Sequence, residues 1–395
     1  MSDRLATRPE VTPPGPPRGR PVPTWLRVLL VLGLLYLFLT GVRGLGNGLE
    51  ALGEDLLDYF FRATANPFVG LMVGILATTL LQSSSASTSL IVGLVAAPGN
   101  PLPVGAAIPM VMGANIGTTV TNTIVSVGHI PRPEEFRRAF GAATCHDFFN
   151  FLAVAILLPL EIATGFLERI AWYGARPLAN AEGYRFPNPL KDATRILLEP
   201  VEGFLGAVIP APRLAAVALI LLSAAALFGA LYLLVRSLRA LAASRLEAIV
   251  GRTLDARPHM GFLVGIVVTI MVQSSSITTS ILVPLAGAGI MTLHHVFPIT
   301  LGANVGTTFT ALMASLAAPA ATAAAAIQVA LAHLAFNLVA TALIYLHPRT
   351  REVPIRMARW LADQAVRSRR YAVLYVLLLF YGIPAALIAL SQLLP

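Results

Sequence analysis

Three short polar motifs each occur twice in this chain, inside long apolar stretches. They are Gln-Ser-Ser-Ser, Gly-Ala-Asn-(Ile/Val)-Gly-Thr-Thr and His-x-x-Phe-Asn. The copies begin at Gln82 and Gln273, Gly113 and Gly302, and His146 and His333. The separation between copies changes only from 191 (273 − 82) through 189 (302 − 113) to 187 (333 − 146). An internal duplication that places polar residues at membrane depth is typical of secondary transporters.

The composition predicts an all-α integral membrane protein. Of 395 residues, 56% are hydrophobic and 12% are charged, whereas about a quarter of the residues of soluble domains are charged. The net charge of +9 comes from arginines that flank the apolar segments, which suits anionic lipid and membrane orientation. We therefore expect membrane lipid, and not nucleic acid, as a partner.

The arginines also predict how the chain is oriented. Arginine-rich segments lie at 1–27, 131–138, 236–257 and 349–370, and the positive-inside rule places all four in the cytoplasm, with the N-terminus. Segments 43–67 and 166–211 have more balanced charge and are expected outside. The spans then alternate without contradiction, and the two copies of the pattern enter the membrane from opposite sides. This arrangement is an inverted-topology repeat.

The predicted organisation follows from these spans. It comprises a disordered cytoplasmic tail (1–23), a first transmembrane helix with an external amphipathic segment (24–65), transport repeat 1 (66–165), an external linker (166–212), a central transmembrane helix with a cytoplasmic basic segment (213–257), transport repeat 2 (258–348), and a second basic segment with a last transmembrane helix (349–395).

The Gln-Ser-Ser-Ser tetrads divide apolar segments that are too short to cross a bilayer singly. The runs 67–81 and 86–97 contain 15 and 12 residues, whereas a span needs about 20. A re-entrant helical hairpin with the tetrad at its tip explains both facts. The alternative is one continuous helix in which the serines are small packing residues. The Gly-Ala-Asn motif has two glycines around an asparagine, so we expect each copy to break a transmembrane helix, over 104–127 and 293–316.

Broken helices in this setting suit an anion and a small cation. The N-terminus of a helix offers free N–H groups and a positive dipole end, which bind anions without a basic side chain. Carbonyl, Asn and Thr oxygens suit an alkali cation. No Lys or Arg lies within 67–128 or 258–347. A bound dianion would therefore need co-bound cations, which couples the two ligands.

These motifs resemble those of the type II sodium-dependent phosphate cotransporter family, over about 66–349. Two further segments share the resemblance, Arg137-Arg138-Ala139-Phe140 and His146-Asp147-Phe148-Phe149-Asn150. The resemblance implies a phosphate site formed by Gln82, Ser83, Ser84, Ser85, Gln273, Ser274, Ser275 and Ser276. It also implies sodium ligands among Asn115, Thr118, Thr119, Asn304, Thr307 and Thr308. The short linker lacks the paired cysteines and glycosylation sequons of vertebrate relatives, which points to a bacterial member in the inner membrane.

The remaining polar residues have two interpretations each. His146 and His333 are either proton-sensitive groups near the cavity or structural histidines. Asn150 and Asn337 are expected to support the site by bonding the broken backbone of a neighbouring helix. Asp147 is an acid within an apolar segment and hence a functional suspect, but it also lies close enough to Arg137 or Arg138 to pair with one of them.

The motifs are to be compared with three classes of function. An intramembrane hydrolase needs one asymmetric nucleophile, base and acid, whereas these serines occur in symmetric pairs, so no enzyme is expected. Sodium-coupled phosphate symport by alternating access is the favoured function. A transporter of another oxyanion or of a dicarboxylate, or an anion channel of the same fold, is the alternative. Sodium is expected as co-substrate, and no cofactor is expected. The sequence is compatible with a homodimer but does not determine the oligomeric state.

Overall fold

The computed structural model describes residues 23–52, 64–99, 101–179, 189–253, 258–319 and 321–393. Within these ranges all regular secondary structure is helical. The predicted disordered tail, apart from its last residue, and the segment 53–63 lie outside the described residues.

The helices are numbered in chain order. Those of the first half are α1 (Thr24–Leu52), α2 (Pro67–Leu81), α3 (Ser84–Val95), α4 (Val104–Gly117), α5 (Val120–Val127), α6 (Pro133–Thr164), α7 (Phe166–Ala179) and α8 (Pro189–Val208). Those of the second half are α9 (Pro212–Thr253), α10 (Pro258–Val272), α11 (Ser275–Gly287), α12 (Leu293–Ser315), α13 (Ala323–Tyr345), α14 (Pro348–Arg367) and α15 (Arg369–Val376), which continues through a π-helical turn (Leu377–Gly382) into α16 (Ile383–Leu393).

Seven helical segments of the described chain are long and apolar enough to cross a membrane. They are Val28–Leu45, Val104–Val127, Pro133–Thr164, Pro212–Ala230, Leu293–Ser315, Ala323–Tyr345 and Arg369–Leu393. The helices on either side of each tetrad are shorter, at 12 to 15 residues. The sequence predicts this difference between spanning and short apolar segments.

The two halves repeat the same helix packing. In the first half α2 packs against α4, and in the second half α10 packs against α12 in the same way. The halves also share one hydrophobic core, where the ring of Phe149 from α6 meets the ring of Phe297 from α12 at 5.9 Å. The predicted linker 166–212 contains two helices, α7 and α8, on either side of residues that are not described.

The predicted helix break occurs in the first copy of the Gly-Ala-Asn motif and not in the second. In the second copy α12 continues through the whole motif. In the first copy only a local interruption follows Gly117, and Thr118 keeps helical angles (φ −59°, ψ −34°). The first glycine of each copy also allows close helix packing. A β-carbon at Gly113 would lie 2.1 Å from the Leu71 carbonyl oxygen, and one at Gly302 would lie 2.0 Å from the Phe262 carbonyl oxygen.

Candidate functional site

The first tetrad forms a tight connection between α2 and α3. Gln82 ends α2 in the left-handed conformation (φ 53°, ψ 28°), which is uncommon for a residue other than glycine. Its side-chain Nε2 donates to the Thr79 carbonyl at 2.5 Å, which ties the glutamine to the helix that it terminates. Ser83 is extended, and its Oγ accepts the Ala86 N–H at 3.2 Å as the N-cap of α3. A continuous helix through this tetrad is therefore excluded.

The second tetrad repeats this geometry. Gln273 has φ 54°, and its Nε2 donates to the Ile270 carbonyl at 2.6 Å. The Ser274 Oγ accepts the Ile277 N–H at 3.3 Å as the N-cap of α11. In both halves the last two serines thus occupy the first turn of a helix. There the backbone N–H groups have no partner within the helix.

The tetrads of the two halves meet through one threonine. Thr310 on α12 donates its hydroxyl to Gln273 Oε1 at 2.9 Å and lies 3.5 Å from Ser85 Oγ, which belongs to the other tetrad. Ser85 and Thr310 are buried. The equivalent residue in the first half, Thr121, donates to Gln82 Oε1 at 3.0 Å. The motifs did not single out these threonines, although they are separated by the same 189 residues as the Gly-Ala-Asn motifs.

A buried chain of side-chain hydrogen bonds also joins the halves. His146 Nε2 lies 2.6 Å from Asn304 Oδ1, and Asn304 Nδ2 donates to Asn150 Oδ1 at 2.8 Å. Asn150 Nδ2 in turn donates to the Asn115 carbonyl at 2.9 Å. Because the Asn304 amide nitrogen is the donor to Asn150, its oxygen accepts, and His146 Nε2 therefore carries the proton. Bonds between α6, α12 and α4 thus cross from one repeat to the other.

Asn122, which the motifs did not include, extends these contacts to α11. Its Oδ1 accepts the Thr279 hydroxyl at 2.9 Å and the Ser280 hydroxyl at 3.3 Å. Its Nδ2 lies 3.5 Å from His146 Nδ1. The sequence offered no signal for this role, since the duplicated position in the second half is Ala311.

The residues with expected sodium-binding roles are all buried, and most of them bond their own helix. Thr118 and Thr307 donate to carbonyls four residues earlier, at 2.8 and 2.9 Å. Thr119 and Thr308 donate to carbonyls three residues earlier, at 2.8 and 2.7 Å. Asn115 Nδ2 donates to the Val111 carbonyl at 3.1 Å. Since each hydroxyl acts as donor in these bonds, its oxygen lone pairs remain available to a cation.

The second His-x-x-Phe-Asn motif does not reproduce the contacts of the first. Asn337 Nδ2 donates to the His333 carbonyl of its own helix at 3.0 Å. Within the described chain, neither ring nitrogen of His333 nor the Asn337 Oδ1 has a hydrogen-bond partner. The expected bond to the backbone of a neighbouring helix is present for Asn150 and absent for Asn337. The prediction for Asn337 is wrong because its amide turns along α13.

Asp147 does not pair with either nearby arginine. Its Oδ2 accepts the Tyr375 hydroxyl at 2.7 Å and the Thr123 hydroxyl at 3.4 Å, and the side chain is fully buried. Arg137 instead pairs with Asp363, with 2.5 Å between Nε and Oδ1. Arg138 Nε donates to the Gly287 carbonyl at 2.9 Å.

A family model described as Na+/Pi-cotransporter matches residues 37–167 and 226–383, which contain both tetrads and the contacts between them. The chain belongs to this family. The family consists of cotransporters and not of enzymes, which confirms the resemblance and the exclusion of a hydrolase. Together with the seven apolar helices, family membership makes the chain a multi-pass membrane protein.

Curated relatives agree with the family model. The chain is 35% identical to "Sodium-dependent phosphate transport protein 2A" of Ovis aries over 93% of this chain and 68% of the relative. It is 32% identical to "Sodium-dependent phosphate transport protein 2B" of Homo sapiens over 92% of this chain, and spans 65% of that relative's length. No solved structure matches the chain significantly.

Proposed function

We propose that this protein is a sodium-coupled symporter of inorganic phosphate that works by alternating access. The observation that carries the proposal is the meeting of the two tetrads. Thr310 contacts Gln273 of one tetrad and Ser85 of the other, in a buried region whose flanking segments contain no Lys or Arg. The relatives' names, which specify sodium-dependent phosphate transport, support the same substrates.

The proposed phosphate site lies between the first turns of α3 and α11. The N–H groups of Ser84, Ser85, Ser275 and Ser276, with their hydroxyls, supply donors for the phosphate oxygens, and the helix N-termini supply positive potential. Gln82 and Gln273 hold the two turns, since their side chains bond the preceding helix and a neighbouring threonine. Ser83 and Ser274 cap the helices that point at the anion.

The proposed sodium ligands are the oxygens of Asn115, Thr118 and Thr119 in one repeat and of Asn304, Thr307 and Thr308 in the other. These side chains lie on helices packed against the tetrads. Hard oxygen ligands of this kind suit an alkali cation. The positive charge of the sodium ions replaces the basic side chains that the site lacks, so anion and cation stabilise each other there.

Alternating access is supported by the duplication. Both tetrads form the same turn between short helices, which suits re-entrant hairpins that approach each other from opposite faces of an inverted repeat. The arginine-rich segments orient the protein with its N-terminus in the cytoplasm. We further propose that the protein lies in a bacterial inner membrane.

The energetics require more than one sodium ion if the substrate is divalent phosphate. At an inside-negative potential of ~100 mV, each charge moved inward is worth about 2.3 kcal/mol. A tenfold sodium gradient adds about 1.4 kcal/mol per ion. A dianion then costs about 4.6 kcal/mol and one sodium supplies about 3.7, whereas two supply about 7.4. We expect at least two sodium ions per cycle.

Uptake of labelled phosphate by the purified chain in liposomes tests the proposal. We expect accumulation that requires an inward sodium gradient and rises cooperatively with sodium concentration. Ser84→Ala and Ser275→Ala should each lower uptake at least about tenfold, because each removes a hydroxyl that donates to a charged ligand. Ser223→Ala, a buried serine of α9 away from the tetrads, is the matched control.

Three results would contradict the proposal or part of it. Phosphate uptake independent of sodium would indicate a channel. Preferential inhibition by sulfate or succinate over arsenate would indicate a transporter of another anion. Unchanged kinetics in both tetrad variants would remove the tetrads from the substrate site.

A further inference from the structure

Three arginines line one pocket away from the tetrads. Arg137 and Arg138 at the start of α6 and Arg359 on α14 surround a cavity of about 250 Å³, together with the end of α11. The rest of its lining is largely small or apolar, including Gly141, Ala286, Leu293 and Ala362. We call this the arginine pocket. By the arginine distribution it lies on the face predicted to be cytoplasmic.

The three arginines of the pocket keep free N–H donors beside their present partners. Arg137 pairs with Asp363, the one carboxylate that bonds a pocket arginine among the described residues. Arg138 uses Nε to hold the Gly287 carbonyl. Arg359 lies 3.3 Å from His294, whose other ring nitrogen faces Glu352 at 3.5 Å. Each guanidinium has five N–H donors, so these contacts leave donors on all three.

The duplication supplies an internal comparison for this pocket. A cavity of about 510 Å³ is lined by Trp172 and Arg176 of α7 and by Ala324, Ala325 and Gln328 of α13, among others. At the same separation of 187 residues, Ala324 and Ala325 replace Arg137 and Arg138, and Trp172 replaces Arg359. The second cavity thus forms with one arginine, Arg176, in its lining, where the arginine pocket has three. Packing of the scaffold does not explain the arginines.

We infer that the arginine pocket binds the phosphoryl group of a phosphate-bearing anion. Guanidinium groups bind phosphate oxygens in a bidentate manner, and arginine is favoured where planar recognition of phosphate is needed. Arginines from two separate helices converge on one cavity, which suits a compact group with several acceptor oxygens. The source is either free phosphate or the headgroup of a phosphomonoester lipid.

Binding in this pocket also bears on the second tetrad. Arg138 holds the carbonyl of Gly287 at the end of α11, and the same helix begins at Ser275 of the tetrad. Arg138 therefore connects an anion in the arginine pocket to one end of α11. The other end of this helix lies about 18 Å away, at the proposed substrate site. This consequence rests on the proposed transport function, whereas binding itself does not.

Sodium-free binding of labelled phosphate to the full chain, in nanodiscs of phosphatidylcholine, tests the free-anion source. We expect saturable binding that Arg359→Gln weakens at least about tenfold, as expected for loss of a charge-assisted contact to phosphate. Arg356→Gln should leave the affinity unchanged. This control removes the same charge from an exposed arginine of the same helix that does not line the pocket. Both residues are exposed, so the apparent melting temperature should not change in either variant.

Nanodiscs that contain phosphatidic acid test the lipid source. Here the phosphatidic acid retained by the purified protein is compared with phosphatidylcholine by mass spectrometry. Selective retention that falls in Arg359→Gln and persists in Arg356→Gln supports the inference with a lipid headgroup as the ligand. Equal behaviour of the two variants in both assays, or no selective binding in either, overturns it. Because neither assay measures transport, a failure of sodium-driven uptake would contradict the proposed function without contradicting phosphate binding in the arginine pocket.

Discussion

The two repeats share their backbone geometry but not their polar contacts. Gln82 and Gln273 adopt nearly the same left-handed conformation, with φ 53° and 54°. In contrast, His146 lies 2.6 Å from Asn304 across the repeat boundary, whereas His333 has no hydrogen-bond partner among the described residues. Duplication has thus preserved turns and helix packing while the contacts between the repeats differ.

The first prediction concerns a feature that the two repeats share, the close helix packing at the first glycine of each Gly-Ala-Asn motif. Gly113→Ala and Gly302→Ala should each destabilise the protein by more than about 3 kcal/mol, because the new β-carbon meets a backbone carbonyl that cannot move without separating two helices. Gly229→Ala is the control, since nothing lies within 4 Å of a β-carbon there. Apparent melting temperatures in detergent measure the effect. A small shift at either motif glycine would contradict the packing role.

The second prediction concerns a difference between the repeats, the hydrogen bonding of His146 and His333. His146→Leu should destabilise the protein by about 1–3 kcal/mol, because it leaves the buried Asn304 oxygen without its donor. His333→Leu should be neutral or stabilising, since the ring that it removes forms no hydrogen bond among the described residues. Melting temperatures of the two variants give the comparison. Equal losses in both would mean that the halves use their histidines alike.

The third and smallest expected difference concerns the threonines that contact the glutamines. Thr310→Val should raise the KM for phosphate about fivefold, because Thr310 contacts both tetrads and a lost hydrogen bond is worth about 1 kcal/mol. Thr121→Val should change KM less than about twofold, since among the described residues Thr121 hydrogen-bonds Gln82 and neither tetrad serine, and it is partly exposed. Uptake kinetics at saturating sodium measure both. A larger effect on KM at Thr121 than at Thr310 would contradict the role given to Thr310 as the threonine that connects the two tetrads.

Much of the architecture could be predicted from local sequence. Apolar runs of 12 to 15 residues on either side of each tetrad are too short to span a bilayer, and the structure has short helices there. The serine after each glutamine is a good N-cap, which predicts a helix start. The Gly-Ala-Asn motif predicted a helix break in both copies, whereas only the first copy has one, because glycine permits two outcomes. It ends helices, but it also lets helices approach closely, and only the packing partner decides between them.

The sequence by itself determined the duplication, the membrane class, the turns at the tetrads and the residues that the two repeats share, because these follow from local pattern and composition. The tertiary structure decided which of those residues touch. Thr121, Asn122 and Thr310 enter the site through contacts between helices distant in the chain, and no local pattern specifies such a partner. The same holds for the arginine pocket, since its arginines converge from two separate helices.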